Sequence, residues 1–138
     1  MANLGWPASG IPAGQVCDQF LSSLELLPSL TIAAGASAPQ ALTLDGYDWW
    51  STLRGETKTP RNEMFWKRRE LTVARVGNWK WFEMGGGNGG LCDLADAPGE
   101  TTDLSEDHPG RLKLLHERYK AWLDEMDAAE PRGPFHDY

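Results

Sequence analysis

Four short segments rich in aromatic and β-branched residues follow one another between residues 63 and 94. In the second and third, apolar and polar side chains alternate, so Trp79 and Trp81 fall on one side and Lys80 on the other. The links are too short to hold a helix, and Gly77-Asn78 is a tight turn. The pattern predicts an antiparallel meander of four strands at 63–67, 71–76, 79–84 and 91–94.

A long amphipathic helix is predicted over about residues 109–127. Its apolar side chains recur at steps of three or four and so share one side: Leu112, Leu115, Tyr119, Trp122 and Met126. Charged residues occupy the other side: Lys113, Glu117, Lys120 and Asp124. Pro109 suits the first helical position, where a missing N–H costs nothing. We expect the apolar stripe to cover one face of the sheet, which gives an α+β fold.

The stretch WFEMGGGNGGLCDL contains Gly85, Gly87 and Gly90 in the spacing G-x-G-x-x-G. A dinucleotide-binding loop of this kind must open a helix, because free N–H groups at the helix N-terminus hold the phosphate. Here a short strand and a turn follow Gly90, and no Gly-Lys-Ser/Thr is present. The run GGGNGG therefore predicts a hairpin loop between the third and fourth strands.

Before the sheet, the sequence predicts a helix over residues 20–35. Its apolar residues recur at helical spacing, Ser22 or Ser23 can cap its start, and Gly35 is a natural stop. Pro28 is tolerated only near the first turn. This helix is almost wholly apolar, so we expect it to lie against something large. In its absence we predict self-association, partial disorder or poor solubility of residues 1–45. A connector with a short helix follows the L-D-G turn at 44–46.

Composition excludes several functions for this 138-residue chain. The formal net charge is −7 and the only dense basic cluster is residues 67–69, so nucleic-acid binding is not expected. No stretch approaches 18 apolar residues, so no membrane span is predicted. The N-terminal stretch lacks a basic start before an apolar run, so no signal peptide is predicted. Seven Trp predict core packing, with a stacking surface for a sugar as the alternative.

Residues that bind metals or form disulfides are sparse. Cys17 and Cys92 allow one disulfide but do not imply it, and neither they nor the three His have zinc spacing. The acidic stretch 95–108 offers oxygen ligands from residues such as Glu100 and Asp103. Its spacing is not that of an EF-hand, so it is interpreted as a solvated loop.

Several motifs recur in a fixed order along the chain. W-P-A-S-G-I-P-A-G and S-L-E-L-L-P-S-L come first, then L-D-G and L-R-G-E, then F-W with V-A-R-V-G-N-W-K, and last D-L with A-P-G-E-T-T-D-L. This ordered set resembles the C-terminal part of sulfatases of the arylsulfatase type. The chain departs from that family's pattern at Cys92, where a Tyr is usual, at Asp103, where an Asn is usual, and at the GGGNGG run.

The resemblance implies a domain organisation. Residues 1–45 resemble the last piece of a large α/β catalytic domain, and residues 46–62 would be a connector. Residues 63–138 resemble the family's C-terminal subdomain, a four-stranded antiparallel sheet with a long helix. The partners implied are the sulfatase catalytic domain or a second copy of the chain. Relatives in this family are often exported, which leaves the compartment of this chain open.

The catalytic machinery of the family is not recognisable in this sequence. Family enzymes cleave sulfate esters with a formylglycine made from the first residue of C/S-x-P-S-R, assisted by calcium. Cys17 and Cys92 are each followed by Asp, the serines lack the Pro and Arg, and no adjacent Asp pair exists. We therefore expect no catalytic residue, metal ligand or cofactor in this chain, and no hydrolysis of sulfate esters by the chain alone.

A substrate contact is predicted at Trp66, Lys67 and Arg68, where an aromatic ring beside cations could meet a sulfated sugar. The alternative is an edge strand that its charges protect from pairing. The function predicted is that of a sulfatase C-terminal fragment that supports the enzyme or forms a rim of its substrate cleft. A stand-alone glycan- or protein-binding module and a gene remnant in which Met1 is internal are the alternatives.

Overall fold

The structure is a computed structural model that describes residues 10–11, 13–37 and 43–129. The first residues of the W-P-A-S-G-I-P-A-G motif, up to Ser9, and the residues beyond Ala129 lie outside the described residues. The chain divides into two compact units, Met1–Asn62 and Glu63–Tyr138. Within the described ranges, none of the helices has the length and apolar character that a membrane crossing requires.

The second unit contains the sheet. Its four strands are antiparallel and pair in sequence order, β1-β2-β3-β4. Their bounds are β1 Glu63–Arg68, β2 Leu71–Val76, β3 Trp79–Met84 and β4 Asn88–Asp93. The predicted meander and the α+β class are confirmed. The bounds of β2 and β3 match the prediction because both strands carry side chains that alternate clearly between two environments.

Strand β4 differs from the prediction, which placed it at 91–94. It begins three residues earlier, and Met84 pairs with Asn88 across a turn of residues 85–87. Only the first half of GGGNGG is therefore loop. Gly86 and Gly87 have φ of 88° and 81°, a left-handed conformation that favours glycine. Asn88, Gly89 and Gly90 lie in the strand, and alternation cannot be detected where residues lack side chains.

Helix α3, Pro109–Ala128, covers one face of the sheet. Leu115 is fully buried and Tyr119 nearly so, against a core from the three inner positions of the sheet: Ala74, Trp81 and Leu91. Phe65 of β1 stacks on Trp122 with ring centroids 5.7 Å apart. The predicted stripe is confirmed except at Met126, which is 44% exposed. Met126 lies one turn, about 6 Å, beyond Trp122, the last stripe residue packed on the core.

The free edge of β4 is covered by the acidic segment that follows it. The Leu104 N–H donates to the Leu91 carbonyl (2.7 Å), and the Leu91 N–H donates to Asp103 Oδ1 (2.9 Å). The same oxygen accepts from the Ser105 hydroxyl (2.6 Å) and N–H (3.0 Å). Glu100 pairs with Lys80 at 2.6 Å. Residues 95–108 are a mostly exposed loop, as interpreted, and within that loop Asp103 and Leu104 also protect a sheet edge.

The first unit contains two short helices, α1 Leu26–Ala33 and α2 Trp50–Leu53. A 3-10 turn at Ser23–Glu25 precedes α1, and Ser22 caps that turn. The helix is thus shorter than the predicted 20–35. Pro28 lies in the first turn of α1, where its missing N–H would have no helical partner. Gly35 follows the helix with φ of 67°, as a stop signal should.

Truncation of Leu115 tests the seam between α3 and the sheet. Leu115→Ala should lower the free energy of unfolding by about 2–5 kcal/mol, because it removes a fully buried side chain from a packed core. Met126→Ala is the matched control on the same helix and should change it by about 0.5 kcal/mol or less. Urea denaturation followed by tryptophan fluorescence measures the free energy of unfolding of each variant. Equal effects of the two substitutions would contradict the packing of α3 on the sheet through Leu115.

Replacement of Asp103 tests the covered edge through its pH dependence. Hydrogen bonds from the Ser105 hydroxyl, and then from the Leu91 and Ser105 N–H groups, lower the pKa of Asp103. The carboxylate therefore stabilises the fold above its unfolded pKa of about 3.9, and that contribution is lost as pH falls through the lowered folded pKa. Asp103→Asn keeps the acceptor oxygen but not the charge, and water screens the charge of this exposed side chain, so it should cost less than about 1 kcal/mol at pH 7.

At a pH below the folded pKa, the wild type and Asp103→Asn should have the same stability. Urea titrations at pH 7, at pH 4 and at the lowest pH at which the chain stays folded measure the difference. A difference that does not shrink with pH would show that the charge of Asp103 has no part in holding the edge.

Candidate functional site

The predicted substrate residues lie on β1, which is an edge strand of the sheet. Successive side chains of a strand point to opposite faces. Trp66 and Arg68 therefore share one face, while Lys67 projects to the face that α3 covers, beside Thr72 of β2. The structure brings together two of the three residues, and Lys67 is separated from them. Whether they contact a substrate stays a prediction.

Trp66 and Arg68 belong to a larger surface on the sheet face opposite α3. We call it the open face and define it by the seven side chains around Trp66, beyond which Arg75 and Lys80 continue the same side of the sheet: Met64, Trp66, Arg68, Leu71, Val73, Phe82 and Met84. Trp66 is 39%, Leu71 37% and Met84 46% exposed. Near β4 this side of the sheet is covered instead, since Gly90 and Cys92 are buried and a Cβ on Gly90 would lie 3.2 Å from Asp103.

On β1 to β3 the side chains of this side of the sheet are apolar or positively charged, whereas Glu100 and Asp103 of the covering segment lie on it nearer β4. None of the seven residues is acidic. Lys80, which adjoins the open face, is paired with Glu100, and Arg75 Nε donates to the Gly77 carbonyl at 3.0 Å. Among the described residues no carboxylate forms an ion pair with Arg68. The open face is thus mostly apolar, with Arg68 at one edge and Arg75 and Lys80 beside it at another.

Cys92 is not placed as a catalytic nucleophile. Both thiols are free, and burial raises the pKa of Cys92, which favours the unreactive thiol over the thiolate. Within the described part of the chain, no three His, Cys, Asp or Glu side chains come close enough together to hold a metal ion. Of the carboxylates noted at 95–108, Glu100 pairs with Lys80, and Asp103 accepts hydrogen bonds from Leu91 and Ser105.

The first unit contains a cavity of about 420 Å³. Residues 15–19 and the segment after α2 line it, with Cys17, Thr52 and Lys58 among them. Gln19 Oε1 accepts a hydrogen bond from the Thr59 N–H at 3.1 Å. This bond links the two segments that form the cavity wall. No sequence pattern indicated this cavity, because most of its walls are loops without periodicity, apart from Thr52 of α2.

The family-like motifs of the first unit meet around a buried ion pair that sequence reasoning missed. Glu25 of S-L-E-L-L-P-S-L is 1% exposed, and its Oε1 accepts from Arg61 Nε at 2.7 Å and also from Arg61 Nη2. The other oxygen accepts from the Ser22 N–H, which completes a capping box. Arg61 also donates to the Asp45 carbonyl of L-D-G at 2.9 Å. The spacing Ser-x-x-Glu was a sequence signal for Glu25, but nothing local indicated Arg61.

Two further motif residues fix the same region. Ser29 Oγ accepts from the Trp49 N–H at 3.0 Å, and the Ser29 carbonyl accepts from Trp50 Nε1 at 2.7 Å. Gly46 is required because a Cβ there would lie 1.9 Å from the Leu24 carbonyl oxygen. These residues therefore have structural roles, which tie α1 to L-D-G and α2.

Parts of this sequence are similar to known proteins. No family model matches the chain. The arylsulfatase A of Homo sapiens is 37% identical over 81 residues, which are 54% of this chain and 15% of that protein. The N-acetylgalactosamine-6-sulfatase of Canis lupus familiaris is 25% identical over 122 residues, 82% of this chain and 23% of that protein. The chain thus spans less than a quarter of the length of either relative.

The fold has a counterpart among solved structures. The crystal structure of Ps i-CgsB superposes with a TM-score of 0.70 over 85% of this chain and 27% of that chain, at 22% identity. At this identity the superposition shows a shared fold. Together with the ordered motifs, the two sulfatase relatives identify the chain as a C-terminal portion of a sulfatase of the arylsulfatase type.

Proposed function

We propose that this chain is the supporting portion of a larger sulfatase whose catalytic centre is supplied by residues other than these 138. The observation that carries the proposal is the exposure of α1. Leu27 is 58%, Leu30 50% and Ile32 53% exposed, although a helix that is apolar all round is normally buried. A helix of this kind fits the margin of a larger domain.

The lengths of the relatives support the same proposal. The matched regions are 15% and 23% of the two sulfatases, so most of each relative has no counterpart here. A covering domain would bury the leucines of α1 at roughly 25 cal/mol per Å² of apolar surface. The predicted self-association of residues 1–45 has the same physical cause, since a second copy could cover α1 when that domain is absent.

The chemistry of sulfate ester cleavage also argues for a supporting role. Covalent catalysis needs an activated nucleophile, and the sequence has no C/S-x-P-S-R from which formylglycine could be made. The two thiols are a half-buried Cys17 and a buried Cys92 whose pKa is raised. In the first unit Glu25 and Arg61 form an ion pair with each other, and Arg61 also donates to a backbone carbonyl. Their polar groups therefore have structural partners.

The activity of the isolated chain tests this role. Incubated with an aryl sulfate and calcium, the purified 138-residue chain should release no more product than buffer does, because it lacks the nucleophile. Arylsulfatase A of Homo sapiens, assayed in parallel, is the positive control. Calcium-dependent turnover that elutes with the chain on a sizing column would contradict the supporting role.

A second candidate is a sulfated-sugar contact at the rim of a substrate cleft. The exposure of Trp66 beside Arg68, on one face of β1, favours it, because an aromatic ring can stack on a sugar and a guanidinium can pair with sulfate. N-acetylgalactosamine 6-sulfate, named for the substrate of one relative, is a suitable probe.

This candidate predicts a specific pattern of variants. Trp66→Ala and Arg68→Ala should each weaken binding of N-acetylgalactosamine 6-sulfate about tenfold, equivalent to about 1.4 kcal/mol. Lys67→Ala is the matched control and should leave binding unchanged, since Lys67 projects to the opposite face. Isothermal titration measures the three constants. An equal loss in all three variants would indicate a general charge effect, and no measurable binding by the wild type would exclude the candidate.

A further inference from the structure

We propose that the free edge of β1 pairs with the same edge of a second copy of this chain, so that two four-stranded sheets join into one. The two β1 strands run antiparallel about a two-fold axis at Phe65. This inference concerns the second unit alone, so it does not depend on the proposed function.

The outer side of β1 has backbone groups without a partner. Within the described residues, β1 pairs with β2 and with no other strand. A two-residue turn joins these strands, so the closing pair, Arg68 with Leu71, exchanges hydrogen bonds, and bonded pairs recur at every second residue. The N–H and C=O groups of Glu63, Phe65 and Lys67 therefore point away from β2. No other backbone group of the described residues bonds to them.

One register of two β1 strands satisfies all of these groups. When Phe65 lies opposite Phe65 of the second copy, Glu63 lies opposite Lys67 on both sides of the axis. Each of these pairs then exchanges two N–H···O=C bonds. A register shifted by two residues in either direction would place Glu63 or Lys67 opposite a residue outside β1. The symmetric register is thus the one that pairs the whole outer side of the strand.

The charges of the edge are complementary in the same register. A lysine on an edge strand usually opposes pairing. Here Lys67 would lie opposite Glu63 of the second copy, with both side chains on the face that α3 covers. Among the described residues no carboxylate forms an ion pair with Lys67. Glu63 is paired with Arg118, and because a carboxylate has two acceptor oxygens it can bind both cations.

The open face gains an apolar contact from the same pairing. Trp66 would lie opposite Met64 of the second copy, in a pair that exchanges no backbone hydrogen bonds and so brings the side chains closer. Trp66 is 39% exposed in the single chain. Directly opposed aromatic and apolar side chains stabilise a strand pair. Pairing would therefore cover a ring that the single chain leaves in water.

A second copy fits this edge better than a strand of another sequence does. Strand β1 begins with an acidic residue and ends with two cations, as its sequence EMFWKR shows. Antiparallel pairing about a two-fold axis brings the start of each copy beside the end of the other. The edge thus supplies its own complement, which a strand of another sequence would have to reproduce in the reverse order.

Disulfide cross-linking tests the register. Met64→Cys and Trp66→Cys are made separately in the 138-residue chain and oxidised alone or mixed. A concentration of about 0.2 mM suits the weak binding expected of a small interface. We expect a new interchain disulfide in the mixture alone, because position 64 of one copy lies opposite position 66 of the other, within disulfide reach. The oxidised wild type gives the background from Cys17 and Cys92.

A proline in β1 tests the backbone pairing. Lys67→Pro removes an N–H that points away from β2 and should raise the dimer dissociation constant at least tenfold. Lys67→Ala is the matched control, which keeps the N–H and loses only the ion pair, so it should raise the constant about threefold. Sedimentation equilibrium measures both constants. Both variants should keep the thermal unfolding midpoint of the monomeric wild type within a few degrees, which separates pairing from folding.

Several outcomes would overturn the inference. A wild-type chain that sediments as a monomer at about 0.5 mM excludes the dimer. A disulfide formed by Trp66→Cys alone excludes the register, and a mixture that forms none above background excludes the edge contact. If association persists in Lys67→Pro but is lost in Leu30→Lys, it occurs through α1, whose Leu30 is 50% exposed, and the proposed function keeps its support. Sulfate release by the chain would remove the proposed function and leave the dimer intact.

Discussion

The second unit has a small sheet with two apolar faces, and its described residues include one long helix to cover them. One helix can cover one face, and the rest of the unit's structure depends on that limit. Helix α3 buries Leu115 and Tyr119 against Trp81 and Leu91, and this seam supplies nearly all of the fully buried apolar side chains of that unit. The helix cannot reach the other face as well. The strands that build this core must therefore also present Trp66, Leu71 and Met84 to whatever lies on the opposite side.

The first unit shows the same imbalance in another form. Its interior is unusually polar, since Glu25, Ser29, Thr52 and Arg61 are buried while the leucines of α1 are exposed. Buried ion pairs add little net stability, but removal of one partner typically costs about 3–5 kcal/mol. The Glu25–Arg61 pair thus specifies how α1 meets the L-D-G turn and leaves the outer side of α1 apolar. The ion pair therefore positions α1 while the leucines of that helix remain exposed.

The fold could be predicted from sequence where side chains repeat with a period. Strands β2 and β3 alternate, and α3 has a stripe, so their existence, type and bounds could be read locally. The start of β4 could not, because Asn88-Gly89-Gly90 has no alternation, and the exposure of Met126 depends on where the sheet ends. The separation of Lys67 from Trp66 and Arg68 follows from the period of two in a strand, so that signal was present. Glu25 and Arg61 are 36 residues apart in sequence. No local pattern indicates that two residues so far apart form an ion pair, so this pair is recognised only in the folded structure.

The departures from the family-like pattern are explained by the same geometry. Asp103 stands where the resemblance expects Asn, and its Oδ1 makes the bonds that an amide oxygen could also make. The charge strengthens these bonds and, with Glu100 on Lys80, keeps the carboxylates at the β4 end of the sheet. The β1 end has Arg68 instead, and Arg75 and Lys80 lie on the same side of the sheet between these ends. Because Glu100 pairs with Lys80, the covering segment is fixed to this side of the sheet by an ion pair as well as by its backbone hydrogen bond to Leu91.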